Sequence, residues 1–301
     1  MAAPANVEFK TYDGITLRGD LYKVTKPGPC PCIIMTSGFG GEKSHMIPDF
    51  AVRFRNAGYH VLIYDNRCWG ASDGLPRLEA DPASQQRDYL EAFDFVTTLP
   101  DIDVDRIVYW GTSMAGGNVI IAAAANKLIR AVISQVPFVS GELTSMASAM
   151  AGSMLDQRAM LLDRRAVKEG GPGKGTMIPI FPNENGQGGI LNEAGAVPFT
   201  KEMERRGLKW EKFVPLQSMA NVAMNEPIAF IHRIAPTPLL MVVAENDVTC
   251  PAPWALDAFN KAREPKTLHI VRGAGHFDPY IGSAFENNIK VQLKFLEEIL
   301  A

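Results

Sequence analysis

The chain has 301 residues, a net charge of −3, 47% apolar residues and 21% charged ones. That balance excludes a basic nucleic-acid binder and a polybasic membrane-surface protein, and no apolar run is long enough to cross a bilayer. The length fits either two domains or one α/β domain carrying an insertion. In chain order, Asn6–Tyr12 and Ile15–Tyr22 read as strands joined by the hairpin turn Asp13-Gly14. Cys32–Thr36 is a continuous apolar run, as in an inner parallel strand. It ends in Ser37-Gly38-Phe39-Gly40-Gly41, and a helix over Ile47–Ala57 follows, closed by Gly58. His60–Tyr64 is a second buried strand, Pro82–Thr98 a helix, and Ile107–Thr112 a third buried strand. An Ala-rich helix over Met114–Leu128 comes next, then strands at Ala131–Val136, Leu239–Ala244 and Leu268–Val271. The remaining helices are expected at Pro253–Arg263 and Ser283–Leu300. Strand and helix alternate, which predicts an α/β fold: a mostly parallel central sheet with helices on both faces and the opening hairpin as an antiparallel edge.

Between Phe138 and about Phe230 the rhythm breaks and no buried strand run is found. Glu142–Lys168 has helical spacing with Met146, Met150 and Met154 four apart; 170–195 is Gly-rich and irregular; Phe199–Gly207 and Leu216–Ala223 read as short helices. The expected division is therefore a core of 1–137 and 231–301 with a mainly helical cap insertion at 138–230 over the carboxyl edge of the sheet. Eight of the 13 methionines lie in that segment, which suits a pocket for a flexible apolar ligand.

The chemistry concentrates around Gly111-Thr112-Ser113-Met114-Ala115-Gly116-Gly117. A buried strand runs into small residues and then a helix, with Ser113 at the junction. This has the form of a nucleophile elbow, whose strained turn requires small neighbours two residues away. A serine nucleophile needs a base, and the base needs an orienting group. Of the histidines at 45, 60, 232, 269 and 276, His60 and His269 fall in strands. His276 follows the last strand in a small-residue loop and is the expected base. Asp247 follows the strand Leu239–Ala244 and is the expected acid; Glu245 and Asp278 are weaker candidates. The order Ser113, Asp247, His276 is the order in which this kind of fold carries the three roles. The backbone N–H groups of Phe39 and Met114 are the expected oxyanion donors. Cysteines stand at 30, 32, 68 and 250; Cys30-Pro31-Cys32 is too tight for a zinc pair and no His cluster accompanies it. Met1–Lys10 has no apolar signal region, so a cytoplasmic protein with reduced thiols is expected.

With these residues the chain resembles the α/β-hydrolase superfamily. Tyr64-Asp65-Asn66-Arg67-Cys68-Trp69-Gly70-Ala71-Ser72-Asp73-Gly74 and 236–244 (Pro-Thr-Pro-Leu-Leu-Met-Val-Val-Ala) narrow the resemblance to the fungal polyketide transferase and thiohydrolase group. Two positions depart from it: Ser37 stands where relatives often have His, and Ala115 where the second elbow glycine is usual. The resemblance implies a serine-dependent hydrolase or acyltransferase acting on a thioester or ester of a largely apolar acyl chain. That chain would be polyketide-derived and delivered by a synthase carrier domain. The same residues also suit a C–C-bond or small-ester (dienelactone-type) hydrolase and a polyketide cyclase; a non-catalytic receptor has no need of all three side chains. No metal or organic cofactor and no nucleic-acid or membrane partner is expected, and the sequence is compatible with a homo-oligomer.

Overall fold

The computed structural model describes residues 3–150, 157–171 and 173–301. The chain opens with β1 (Ala5–Lys10) and β2 (Thr16–Tyr22), then β3 (Cys30–Thr36), α1 (Ile47–Asn56), β4 (His60–Tyr64), α2 (Pro82–Thr97), β5 (Ile102–Thr112), α3 (Met114–Ala125) and β6 (Ala131–Gln135). After the segment 138–230 it resumes with β9 (Leu239–Ala244), α8 (Ala252–Lys261), β10 (Lys266–Val271) and α9 (Gly282–Leu300). These strands form one eight-stranded sheet in the order β1-β2-β4-β3-β5-β6-β9-β10. β2 runs antiparallel to both its neighbours and the other pairs are parallel, so the opening hairpin is the antiparallel edge.

Every residue of β3, β4, β6 and β9 is buried, which is why these strands read as unbroken apolar runs instead of alternating ones. Successive side chains still go to opposite faces. Cys32, Ile34, Leu62, Tyr109 and Met241 pack with α2, α3 and α8, while Ile33, Met35, Val61, Trp110 and Val242 pack with α1 and α9. The two cores hold the sheet rigid, and its parallel strands deliver their carboxyl ends to one edge. In register there lie Thr36 beside Gly111, Thr112 beside Gln135, Gln135 beside Val242, and Ala244 beside Val271.

The strand expected from Ile107 begins five residues earlier. Asp103 and Asp105 break the apolar pattern there, but Ile102 still pairs with Cys30 through a register shift between Cys30 and Cys32. The loop after β4 is held by charge. Arg67 donates Nε to Asp88 Oδ2 at 2.8 Å and Nη1 to Asp13 Oδ2 at 2.9 Å, so the hairpin turn and α2 are both tied to it.

The segment 138–230 contains α4 (Gly141–Met150), α5 (Gln157–Gly170), β7 (Met177–Pro179), α6 (Ala196–Arg205), β8 (Phe213–Pro215) and α7 (Gln217–Ala223). The expected single helix over Glu142–Lys168 is described as α4 and α5; residues 151–156 between them, and Met154 with them, lie outside the described residues. β7 and β8 pair as an antiparallel two-stranded sheet, β7 within the stretch expected to be irregular and β8 between the two expected short helices. Three-residue strands are too short to leave an alternation in the sequence. This small sheet packs Ile180 and Val214 onto Cys68 and Trp69 of the core. α7 is tied to the core as well: Ala80 N–H donates to Ser218 Oγ at 3.0 Å, and Gln217 Nε2 to Glu79 Oε1 at 2.6 Å.

Candidate active site

Ser113 lies between β5 and α3 with φ 58° and ψ −122°. Only glycine adopts such a backbone readily, and the strain costs about 1–3 kcal/mol. The surroundings hold it there. Ser113 N–H donates to the Gln135 carbonyl at 2.9 Å, and the Ser113 carbonyl accepts from Phe138 N–H at 2.9 Å and Gly117 N–H at 3.2 Å. The turn doubles back so tightly that a Cβ at Gly111 would stand 2.1 Å from the Ala115 carbonyl oxygen. The sharp turn lifts the Ser113 hydroxyl above the sheet edge.

The loops after β9 and β10 bring two more side chains to that hydroxyl. His276 Nε2 lies 3.0 Å from Ser113 Oγ, and His276 Nδ1 lies 2.8 Å from Asp247 Oδ2. Asp247 Oδ1 accepts the Cys250 N–H at 2.7 Å, which fixes the carboxylate plane. The carboxylate has only acceptors, so Nδ1 carries the proton and Nε2 is free to accept from the serine. Both side chains are buried, at 4% exposure for Asp247 and 2% for His276. Burial alone would lower the His276 pKa. The Asp247 carboxylate, with a further contribution from Glu193, outweighs it and holds the imidazole above its ordinary value.

The other candidates are placed elsewhere. Glu245 turns outward, accepting from Arg272 Nη1 at 2.6 Å and Gly273 N–H at 2.8 Å, and Asp278 accepts from Gly275 N–H at 2.7 Å. Neither is hydrogen-bonded to the His276 ring. His60 Nδ1 accepts from Val24 N–H at 3.1 Å at the start of its strand. All four cysteines are free and buried. Burial pushes the Cys68 thiol up to about 12, and burial beside Asp247 pushes the Cys250 thiol well above its usual range, so neither is a ready thiolate.

The loop after β3 lies directly over the serine. A Cβ on Gly38 would be 2.7 Å from Ser113 Cβ and 3.2 Å from its Oγ. The backbone N–H groups of Phe39, in this loop, and of Met114, at the first turn of α3, have no acceptor among the described residues. Asn66 Nδ2 supports the loop from below by donating to the Ser37 carbonyl at 3.1 Å. Beneath the serine, Gln135 Nε2 donates to Thr112 Oγ1 at 3.2 Å, and Thr112 Oγ1 is hydrogen-bonded to Tyr280 OH. Asn288 and Gln292 of α9 both donate to Gln135 Oε1, at 2.6 and 2.8 Å. This buried, mutually satisfied network anchors the carboxyl ends of β5 and β6 to α9.

Above Ser113 and His276 is a cavity of about 60 Å³. Its far wall is Phe181, Leu191, Phe199, Met203 and Trp210, all from the segment 138–230, and no Lys or Arg lines it. Two contacts to that segment had no signal in the sequence. His45 Nε2 donates to the Lys209 carbonyl at 2.7 Å while its Nδ1 accepts Glu42 N–H at 3.1 Å. Glu193 accepts from His276 N–H at 3.0 Å. A lone carboxylate in a Gly-rich stretch has no spacing to mark it. Among the described residues no group of three or more His, Cys, Asp or Glu side chains could hold a metal ion, and no helix is long and apolar enough to cross a membrane.

The chain is similar to known proteins over nearly its whole length. The model of the alpha/beta hydrolase family matches residues 33–286. The chain is 30% identical to the thiohydrolase aneE of Aspergillus aculeatus, covering 99% of this chain and 94% of that protein. It is 34% identical to the polyketide transferase grgF of a Penicillium species, covering 99% of this chain and 97% of that protein. The crystal structure of the alpha/beta hydrolase GrgF from Penicillium sp. sh18 superposes with a TM-score of 0.83, at 30% identity over 99% of each chain.

Proposed function

The chain belongs to the alpha/beta hydrolase family and is an enzyme of the hydrolase type, and from that premise we propose that it transfers acyl groups through a covalent ester on Ser113. In this reading the substrate is a thioester or ester of a largely apolar, polyketide-derived acyl chain, presented by a carrier domain or as a small molecule. The observation that carries the reading is the unbroken chain of hydrogen bonds from Asp247 through His276 to the strained Ser113. The names of the relatives, thiohydrolase and polyketide transferase, support the substrate class.

The steps follow from the geometry. His276 Nε2 takes the hydroxyl proton as Ser113 Oγ attacks the carbonyl carbon, and Asp247 stabilises the imidazolium that forms. The oxyanion is held by the backbone N–H groups of Phe39 and Met114. Collapse of the tetrahedral intermediate breaks the C–S or C–O bond, and the leaving group takes the proton from His276. Water or an alcohol then enters, gives a proton to His276 and attacks the acyl-serine. A second collapse returns the proton to Ser113. The segment 138–230 acts as a cap whose aromatic wall receives the acyl chain.

Intact-protein mass spectrometry after mixing with a medium-length acyl thioester tests this. A mass gain of one acyl group on Ser113, absent in Ser113→Ala, supports the reading; free acid against ester among the products separates hydrolase from transferase. Turnover by Ser113→Ala at the wild-type rate refutes it.

A further inference from the structure

We propose that Glu193 is a positioning residue, a carboxylate from the segment 138–230 that ties the base loop to the acid loop and aligns them. The inference rests on the serine reading above and goes beyond it by giving a role to a residue outside the Ser113, His276 and Asp247 set. Glu193 Oε1 accepts from His276 N–H at 3.0 Å, and its Oε2 accepts from Thr249 Oγ1 at 3.0 Å. One rigid carboxylate therefore holds the residue that carries the base and the residue next to Cys250. The Cys250 N–H in turn sets the Asp247 carboxylate at 2.7 Å. Both ends of the 2.8 Å bond between His276 and Asp247 are thus referred to the same group.

The local sequence makes room for this contact. A Cβ on Gly275 would come within 3.3 Å of Glu193 Oε1, and one on Gly195 within 3.1 Å, so both sides of the carboxylate are already close to bare backbone. Glu245 and Asn246 stitch the same two loops together, through Arg272 and Gly273 and through the Ala274 carbonyl, but they do so within the core. Glu193 is the tie that comes from the cap, and among the described residues it has no ion pair with Lys or Arg. An unneutralised carboxylate at the backbone of the base favours the imidazolium that forms in each proton transfer. The other titratable groups around His276 are Asp247 and Asp278, the Cys250 thiol beside Asp247, the Tyr280 hydroxyl behind, and His45 across the cavity.

The test compares wild type, Glu193→Gln, Glu193→Ala and Thr249→Val on one acyl thioester, with Ser113→Ala as the reference for the underlying reading. Glu193→Gln keeps the shape and an acceptor without the charge; Thr249→Val cuts the acid-loop tie and keeps the charge. The expected result is a kcat lowered about 10- to 100-fold in Glu193→Ala with KM within about threefold, the order of loss that misplacement produces. Glu193→Gln should recover part of that loss. In both Glu193 variants the acid limb of kcat/KM should move to lower pH, because the carboxylate is one of the groups that hold the imidazole above its ordinary value. Thr249→Val should lower kcat and leave the limb in place. The imidazole titration of His276, followed by NMR without turnover, should move to lower pH in Glu193→Gln as well. Unchanged kcat and unchanged His276 titration in both Glu193 variants, with Ser113→Ala inactive, overturns the Glu193 inference and leaves the serine reading standing. An active Ser113→Ala overturns the reading on which it rests.

Discussion

Replacing Asp247 by Asn tests how the imidazole is oriented. The two carboxylate oxygens have different partners: Oδ1 accepts from Cys250 N–H at 2.7 Å and Oδ2 faces His276 Nδ1 at 2.8 Å. An asparagine of the same shape must keep its carbonyl oxygen on the Cys250 N–H. The reverse orientation would set donor against donor in a buried site, at a cost of about 1–3 kcal/mol. Its amide NH₂ therefore faces Nδ1, which must become the unprotonated nitrogen. The ring proton then sits on Nε2, 3.0 Å from Ser113 Oγ, and the base donates where it should accept. The wrong tautomer costs about 10⁴-fold in kcat, or about 5.5 kcal/mol at 1.36 kcal/mol per decade. The side-chain volume is unchanged, so the folded structure should persist. Thiol release from an acyl thioester, read continuously with a chromogenic disulfide, measures kcat, and circular dichroism checks the fold. A kcat for Asp247→Asn within tenfold of wild type, with Ser113→Ala inactive, would refute the argument that Asp247 sets the tautomer.

Because only neutral His276 can take the serine proton, kcat/KM should fall tenfold per pH unit on an acid limb centred above the ordinary imidazole value of about 6.5; a limb centred below that value contradicts the assigned balance of burial and carboxylates. Stability has the opposite pH sense: the raised folded pKa means that the His276 contribution is complete below about pH 6.5 and is lost as pH rises through the folded value, which pH-resolved thermal unfolding reads. Gly38→Ala puts a methyl group 2.7 Å from Ser113 Cβ and 3.2 Å from Oγ, so kcat should fall by about 10²-fold with the fold intact by circular dichroism. Arg67→Ala strands Asp88, which is 0% exposed, and should cost about 3–5 kcal/mol, seen as a Tm lower by roughly 10 °C. A loss under about 1 kcal/mol would mean that Asp88 does not depend on Arg67.

Where the sequence could be read, it was because local chemistry left a local pattern. Strands β3, β4, β6 and β9 are buried on both faces, so each is an unbroken apolar run. Ser113 was legible from its small neighbours, which the doubled-back turn requires at Gly111. Asp247 and His276 were legible because each follows a strand that must end at the same sheet edge. Helical spacing and strand alternation were less informative in the segment 138–230. The three-residue strands β7 and β8 exist because they pair with each other and lie on Cys68 and Trp69. The start of β5 was hidden by Asp103 and Asp105, which interrupt the apolar run where the pairing with β3 shifts register between Cys30 and Cys32.

The sequence alone determined the order of strands and helices outside the segment 138–230, the strained turn at Ser113, and which strand ends carry the hydroxyl, carboxylate and imidazole. These depend on burial and backbone freedom, which act over a few residues and are written at the positions concerned. The tertiary structure alone decided the 3.0 Å approach of His276 to Ser113 across 163 positions and the 3.0 Å tie of Glu193 to His276 across 83. It also decided the aromatic wall that the segment 138–230 sets over the serine. Contacts between residues so far apart depend on how whole elements pack, and a side chain such as Glu193 is marked only by what it touches.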